Sequence, residues 1–400
     1  MSKFKLLLIF ALACLTGLAF PINSGSIKIV TQTQAWGQVV NAVIIEYPFN
    51  IDPASISPST FEVLANRIRD GSGELAPRTI TKVYTNNKPE LTSKPTAGRF
   101  VIIELNSNDT NASTIYYDLA KGFNFDYELE YTVIQKVNIK SIEEKILPAG
   151  VMIGRNRMNL VVDKFKNYIY QSTDGKKLPY SLFVPENYNP NETYPLVVFL
   201  HGAGERGFNN QMQLKANEGA VVWASELVQS NNPCFVLAPQ CPQESAWTRL
   251  FDNKPFEPSE YLEMVHEVIT KLVEEYNINR NRIYLTGLSM GGFGTWALAM
   301  AHPETFAALV PICGWGDPEK AELIADIPTW VFTAEDDPVV KVDGVRAIVK
   351  VLEELGAPVK YTEYEKGVVS PPLALMAHWS WVPAYKNQRM IEWMFSQVKE

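Results

Sequence analysis

Four short stretches carry the residues that could do chemistry. They are Gly287-Leu288-Ser289-Met290-Gly291-Gly292, His201-Gly202-Ala203-Gly204-Glu205-Arg206-Gly207, Glu335-Asp336-Asp337-Pro338 and Ala377-His378-Trp379. The first follows the apolar run Arg282–Thr286 and precedes the helix-like Phe293–Ala301. A strand, a G-x-S-x-G turn and a helix in that order form a nucleophile elbow, where a serine sits on a sharp turn between small neighbours. Gly287 and Gly291 supply the small neighbours, because a side chain at either would meet the adjoining strand or helix.

A serine hydroxyl is a weak nucleophile at neutral pH and needs a base, itself oriented by a third group. The chain has four histidines. His266 falls with Glu263 and Thr270 on the polar face of a predicted helix and is expected to be solvated. His302 lies thirteen residues after Ser289, at the far end of the next helix, several turns from the serine. His201 ends a strand and opens a Gly-rich turn, a place for organising backbone. His378 remains, on a loop after the last apolar strand and in the chain order serine, acid, histidine. The acid should follow the strand Pro328–Thr333, where Glu335, Asp336 and Asp337 are consecutive. Spacing alone does not choose among them. Its task would be to fix the His378 tautomer and stabilise the imidazolium. An oxyanion hole needs two backbone donors. These are expected from Met290, after the serine, and from Ala203 in the Gly202–Gly204 turn, with Gly204 the adjacent alternative.

The elements that must position these residues fall into two textures. Residues 26–135 alternate in about seven short runs broken by turn residues, the pattern of an immunoglobulin-like β-sandwich. Strands are expected over 26–33, 39–47, 61–69, 79–86, 99–105, 114–119 and 127–137, with Asp70–Gly73 a breaker. Residues 140–157, with Pro148-Ala149-Gly150, are expected to be a connector where contacts thin out. From Leu196 onward, near-continuous apolar runs alternate with helical patterns, the mark of a parallel sheet covered on both faces. The clearest helix spans 260–276. The expected division is a signal segment over 1–22, the sandwich over 23–150 and an α/β-hydrolase domain over 151–400.

Composition agrees with a two-domain globular protein: 400 residues, 46% apolar and 20% charged. A net charge of −8 argues against a nucleic-acid surface. Lys3 and Lys5 precede an apolar run from Leu6 to Leu18, the form of a cleaved export signal and shorter than a stable membrane span. Lipid anchoring at Cys14 is the less favoured reading, since Leu12 stands where a small residue is usual. Export would allow disulfides. Cys234 and Cys241, however, bracket a strand too long to bridge, so Cys234, Cys241 and Cys313 are expected as buried thiols. The scattered histidines show no metal-ligand spacing, and neither a metal nor a cofactor is expected.

Taken together, H-G-A-G-E-R-G, G-L-S-M-G-G, D-D-P-V-V and H-W-S-W-V-P-A-Y resemble the secreted esterases related to polyhydroxybutyrate depolymerases. With the sandwich in front, nearly the whole mature chain resembles the EstA-type carboxylesterases of thermophilic bacteria. The resemblance implies an immunoglobulin-like domain before an α/β-hydrolase domain and a small-molecule ester substrate. It implies Asp337 as the acid and His378 as the base. Trp315 stands where many relatives have a small residue, so Trp315, with Gly202, Gly204 and Trp379, is expected to line the substrate pocket. The segment 368–376, apolar and proline-containing, is expected to shape that pocket. A peptidase, a polysaccharide deacylase and a surface binding protein on a degenerate scaffold are the alternatives. An intact Ser/His/Asp set speaks against the last, and a homo-oligomer is left open.

Overall fold

The computed structural model describes residues 26–399, so the export segment and Cys14 lie outside the described residues. Contacts group the chain into two compact units. One comprises residues 26–32, 38–116 and 126–160; the other comprises 33–37, 117–125 and 161–399.

The first unit is an all-β sandwich. One sheet runs Arg157–Leu160, Ser26–Gln34, Gly37–Ile51, Gly98–Leu105, Ile80–Asn86; the other runs Gly150–Gly154, Glu128–Gln135, Phe61–Arg69, Ser72–Arg78. Val43, Ile45, Val101 and Ile103 from the first sheet meet Val63, Tyr131 and Val133 from the second in one buried core. Alternation of inward apolar and outward polar residues is what permits that packing.

Two sequence expectations fail here, each for a physical reason. The Asp70–Gly73 breaker is a hairpin turn. Asp70 and Gly71 both take positive φ, 50° and 78°, and Arg69 pairs with Ser72. An Asp-Gly pair suits a two-residue turn of this kind, and Ser72–Arg78 returns as a strand. The supposed connector is sheet as well. Gly150–Gly154 pairs antiparallel with Glu128–Gln135, and Arg157–Leu160 pairs parallel with Ser26–Gln34.

The returning strand ends on Arg78, whose side chain is buried. Its Nη1 donates to Tyr131 Oη at 2.5 Å, and its Nη2 donates to the Val40 and Asn106 carbonyls, each at 2.9 Å. Its Nε donates to Asp109 Oδ2, also at 2.9 Å. The backbone N–H of Thr79 donates to the same oxygen at 2.8 Å. Against the upward push of partial burial, the Thr79 and Arg78 bonds to its carboxylate hold Asp109 below the usual carboxylate range.

The second unit is an α/β-hydrolase sheet of eight strands. In chain order they are β1 (Lys166–Gln171), β2 (Lys177–Phe183), β3 (Tyr194–Leu200), β4 (Phe235–Pro239), β5 (Ile278–Leu288), β6 (Ala308–Ile312), β7 (Thr329–Ala334) and β8 (Val359–Tyr364). Their order across the sheet is β1-β2-β4-β3-β5-β6-β7-β8. β1–β2 and β2–β4 pair antiparallel, and every other neighbouring pair is parallel. Every residue of β3 and β6 is buried, which is why those runs read as continuously apolar.

Helix α1 (Glu260–Glu275) buries Leu262, Met264, Val265, Val268, Ile269 and Leu272, and Ser259 caps it by accepting the Leu262 N–H. Helix α2 (Met290–Ala301) follows the elbow and is buried over most of its length. Helices α3 (Val342–Glu354) and α4 (Gln388–Ser396) complete the set used below. His266 on α1 does not sit on a solvated face: it stacks on His302 with ring centroids 3.7 Å apart. Cys234, Cys241 and Cys313 are buried free thiols. Among the described residues no helix is long and apolar enough to cross a membrane.

The Arg78 network gives a stability prediction. Arg78→Ala leaves the half-buried Asp109 unpaired beside orphaned carbonyls, so the sandwich should lose about 3–5 kcal/mol. Guanidinium unfolding followed by far-UV circular dichroism measures it; a loss below 1 kcal/mol would show that the network is dispensable.

Candidate active site

The chain turns sharply between β5 and α2. Ser289, at the turn, takes φ 54° and ψ −119°, a conformation that side-chain-bearing residues rarely adopt. The glycines on either side make the turn feasible. A Cβ at Gly287 would lie 2.3 Å from the Gly291 carbonyl oxygen, and one at Gly291 would lie 1.9 Å from that of Leu200 on β3. The turn is pinned from behind, because Ser289 N–H donates to the Ile312 carbonyl at 2.9 Å and reaches Cys313 Sγ at 3.3 Å.

Ser289, His378 and Asp337 form a line. Ser289 Oγ lies 3.0 Å from His378 Nε2, and His378 Nδ1 lies 2.8 Å from Asp337 Oδ2. His378 and Asp337 are both buried. Asp337 Oδ1 accepts the N–H groups of Val339 and Val340 at 2.8 and 2.9 Å, which aims Oδ2 at the imidazole. A carboxylate only accepts, so the His378 proton resides on Nδ1 and the Nε2 lone pair faces the serine. The neighbouring carboxylates have other partners. Glu335 Oε2 accepts from Lys366 N–H at 3.1 Å, and Asp336 Oδ2 accepts from Gly367 N–H at 3.0 Å. Trp381 meets the His378 ring edge-on at 5.4 Å, and Trp379 lies 5.7 Å from Trp381.

The Gly202–Gly204 turn stands beside this line. A Cβ built on Gly202 would lie 3.7 Å from Ser289 Cβ, so the turn approaches the serine directly. Ala203 opens a short 3-10 turn, and Met290 is the first residue of α2, where backbone N–H groups have no partner within the helix. Gly204 faces away, toward Tyr117 and Asn124, and Arg206 lies over the Phe123 ring at 4.9 Å. Trp315 packs on Phe293 at 4.7 Å, and a Cβ at Gly344 would strike its ring. These contacts hold it between α2 and α3.

His201 and Glu205 hold the turn from beneath. His201 is fully buried: Nε2 accepts the Cys241 N–H at 2.9 Å and Nδ1–H donates to the Gly202 carbonyl at 2.6 Å. Burial lowers its pKa to about 3, so it stays neutral. Glu205, also buried, accepts from Asn217 Nδ2 at 3.0 Å, and burial pushes its carboxyl up to about 7. His201 Nδ1 and Glu205 Oε2 are 4.0 Å apart, but a neutral imidazole makes no ion pair.

The spacing of the sequence does not reveal Cys313, Glu205, Asn217 or the 117–125 segment as parts of this site. Glu205 was visible only as a charged residue in an otherwise small-residue turn. A carboxyl whose folded pKa is raised favours the protonated folded state. Its stability contribution is therefore intact below the ordinary value and lost as pH rises toward about 7. Glu205→Gln should match the wild type near pH 4 and exceed it by about 3 kcal/mol above pH 7.5, read from melting temperatures across pH. A stability difference that does not vary with pH would contradict the buried neutral carboxyl.

Comparison with known proteins places this geometry in a lineage. Residues 26–148 match the family described as an esterase Ig-like N-terminal domain, and residues 171–346 match the putative esterase family. The chain is 46% identical to a thermostable esterase of known crystal structure, over 94% of this chain and 100% of that one, with a TM-score of 0.90. It is 28% identical to poly(3-hydroxyalkanoate) depolymerase C of Paucimonas lemoignei, over 30% of this chain and 28% of that protein. It is 24% identical to a probable feruloyl esterase C of Aspergillus oryzae, over 34% of this chain and 46% of that protein. The chain thus spans less than half the length of these two curated relatives. The near-complete match carries the assignment: the chain belongs to the esterase family in which an EstA-type Ig-like domain precedes a serine-hydrolase domain.

Proposed function

We propose that the chain is a serine carboxylesterase that hydrolyses short- to medium-chain acyl esters through an acyl-enzyme. The observation that carries this reading is the unbroken line from Ser289 Oγ through His378 to Asp337, at 3.0 and 2.8 Å. Ser289 Oγ attacks the ester carbonyl as His378 Nε2 takes its proton. Asp337 keeps the imidazole in the required tautomer and stabilises it when charged. The N–H groups of Met290 and Ala203 hold the negative oxygen of the tetrahedral intermediate. Collapse breaks the ester C–O bond, and His378 returns the proton to the departing alcohol. Water then adds to the acyl-serine by the same proton path, releasing the acid and restoring the serine. All the parts are side chains and backbone, so the scheme uses neither metal nor cofactor.

Esters are preferred over amides because the thermostable relative and the Aspergillus relative are named as esterases. A hydroxycinnamoyl ester on a polysaccharide is the second reading, supported by the feruloyl esterase name of one relative. Lys3, Lys5 and the apolar run from Leu6 to Leu18 support export to the periplasm or medium, with cleavage near Ala19.

A panel of p-nitrophenyl acetate to decanoate, methyl ferulate and a chromogenic dipeptide amide tests the activity. Short and medium p-nitrophenyl esters should turn over fastest, and the amide should be hydrolysed at least about 10³ times more slowly. Ser289→Ala should abolish turnover, and Asp337→Asn should reduce kcat by about 10⁴ through the wrong histidine tautomer. Comparable amide and ester efficiencies would overturn the esterase reading. Export predicts that the mature protein recovered outside the cytoplasm begins between about Phe20 and Asn23 by intact mass. An unprocessed start at Met1 there would refute cleavage.

A further inference from the structure

One part of the site has no role in the chemistry above: the hairpin beside the oxyanion turn. Ile115–Asp118 and Phe123–Asp126 pair as its two strands. Asp118 shapes the tip between them. Its Oδ1 accepts the N–H groups of Ala120 and Lys121 at 3.1 and 3.2 Å, and its carbonyl accepts the Gly122 N–H at 2.8 Å. Gly122 takes φ 74°, which suits a glycine. The hairpin lies against the oxyanion turn because Gly204 has no side chain. A Cβ at Gly204 would lie 2.8 Å from Asn124 Nδ2 and 3.2 Å from Tyr117 Cε2. Arg206 fastens the two together. Its Nε donates to the Ala203 carbonyl at 2.9 Å, its Nη1 donates to the Gln243 and Ser245 carbonyls, and its guanidinium lies over the Phe123 ring at 4.9 Å.

This wall offers a ring face and unspent polar groups. The Tyr117 side chain is half exposed. Among the described residues, neither its hydroxyl nor the Asn124 side-chain amide has a hydrogen-bond partner. An amide supplies two donors and an acceptor, and a tyrosine supplies a flat apolar body with a polar tip. Sites that select small molecules combine apolar faces with a few placed polar groups. The wall is also close to the serine. The Gly202 end of the turn approaches Ser289, and the two residues from there to Gly204 span at most about 7.6 Å. An ester held at the serine therefore reaches Tyr117 with a ring carried on one side of its carbonyl. We propose that Tyr117 and Asn124 form a specificity subsite for esters carrying a hydroxylated ring, aromatic or sugar. The ring stacks on Tyr117 and its hydroxyl bonds to the Asn124 amide. The subsite rests on the serine-esterase reading above and names a substrate class for that same site. A linear chain presents neither a face nor a hydroxyl and gains nothing from the wall.

Kinetics on paired esters test it. In the acyl arm, methyl ferulate is set against methyl cinnamate, which lacks the hydroxyl. In the alcohol arm, monobutyryl glucose is set against cyclohexylmethyl butyrate. Methyl butyrate, with no ring, is the reference. Tyr117→Ala should lower kcat/KM at least about 10-fold for both esters of one arm and leave methyl butyrate within about twofold. Asn124→Ala should lower only the hydroxylated ester of that arm, because a lost hydrogen bond is felt only by a substrate that makes it. The arm affected says which half of the ester carries the ring. Asn124→Ala also decides the case if Tyr117→Ala folds poorly. An equal fall on methyl butyrate, or no fall in either arm, overturns the subsite. Failure of the esterase reading is a separate result, in which the wild type hydrolyses none of these esters. Calorimetric binding of methyl ferulate and monobutyryl glucose to Ser289→Ala then decides the subsite. Adding Tyr117→Ala to that variant should weaken one of the two about 10-fold; unchanged or absent binding overturns it.

Discussion

The structure turns on one close backbone crossing. At the carboxyl edge of the sheet, Gly291 passes the Leu200 carbonyl with no room for even a methyl group, and Gly287 leaves none toward the Gly291 carbonyl. This crossing lets β5 reverse into α2 within a few residues, and it forces Ser289 into its positive φ. Strain of this kind persists only when the surroundings over-determine it. Here they do: β5 lies between β3 and β6, both wholly buried, and the Ser289 N–H is tied to the end of β6. A rigid scaffold thereby holds out a single hydroxyl at the rim.

The histidine that meets this hydroxyl sits in a single short 3-10 turn, which by itself is a poor way to fix an imidazole. The consecutive carboxylates after β7 compensate. Glu335 and Asp336 accept the N–H groups of Lys366 and Gly367, at the start of the histidine loop, while Asp337 takes the imidazole at its end. Three neighbouring side chains thus secure one segment at both ends. A run that looks like a solvated acidic turn is a clamp, with one charge turned inward and two tied to backbone.

This explains what the sequence reveals and what it hides. The elbow, the parallel sheet and His378 follow rules of local spacing, so they are legible before any coordinates. Asp337 is not separable from Asp336 by spacing, because alternation at a strand end does not say which of three carboxylates turns inward. That choice came from resemblance. Ser72–Arg78 was hidden because Asp70-Gly71 marks equally well the end of a strand and a hairpin between two strands. Only the pairing partner settles it. Cys313, Asn217 and the 117–125 segment reach the site through contacts between distant parts of the chain, for which no short motif exists. The stack of His266 on His302 is hidden in the same way, being set by how two helices pack.

His201 and His378 show that the residue type alone assigns no role. Both are buried at the same edge of one sheet. His201 commits both ring nitrogens to backbone groups, Cys241 N–H and the Gly202 carbonyl, and burial holds it neutral far below ordinary histidine behaviour. Its carbonyl in turn accepts from Trp247 Nε1 at 2.9 Å. With no lone pair to spare, it can only shape the turn above it. His378 commits one nitrogen to a carboxylate and leaves the other facing a hydroxyl. A base needs one uncommitted lone pair and a partner able to stabilise the charge it acquires. His378 has both, while His201, next to the Gly-rich turn, has neither.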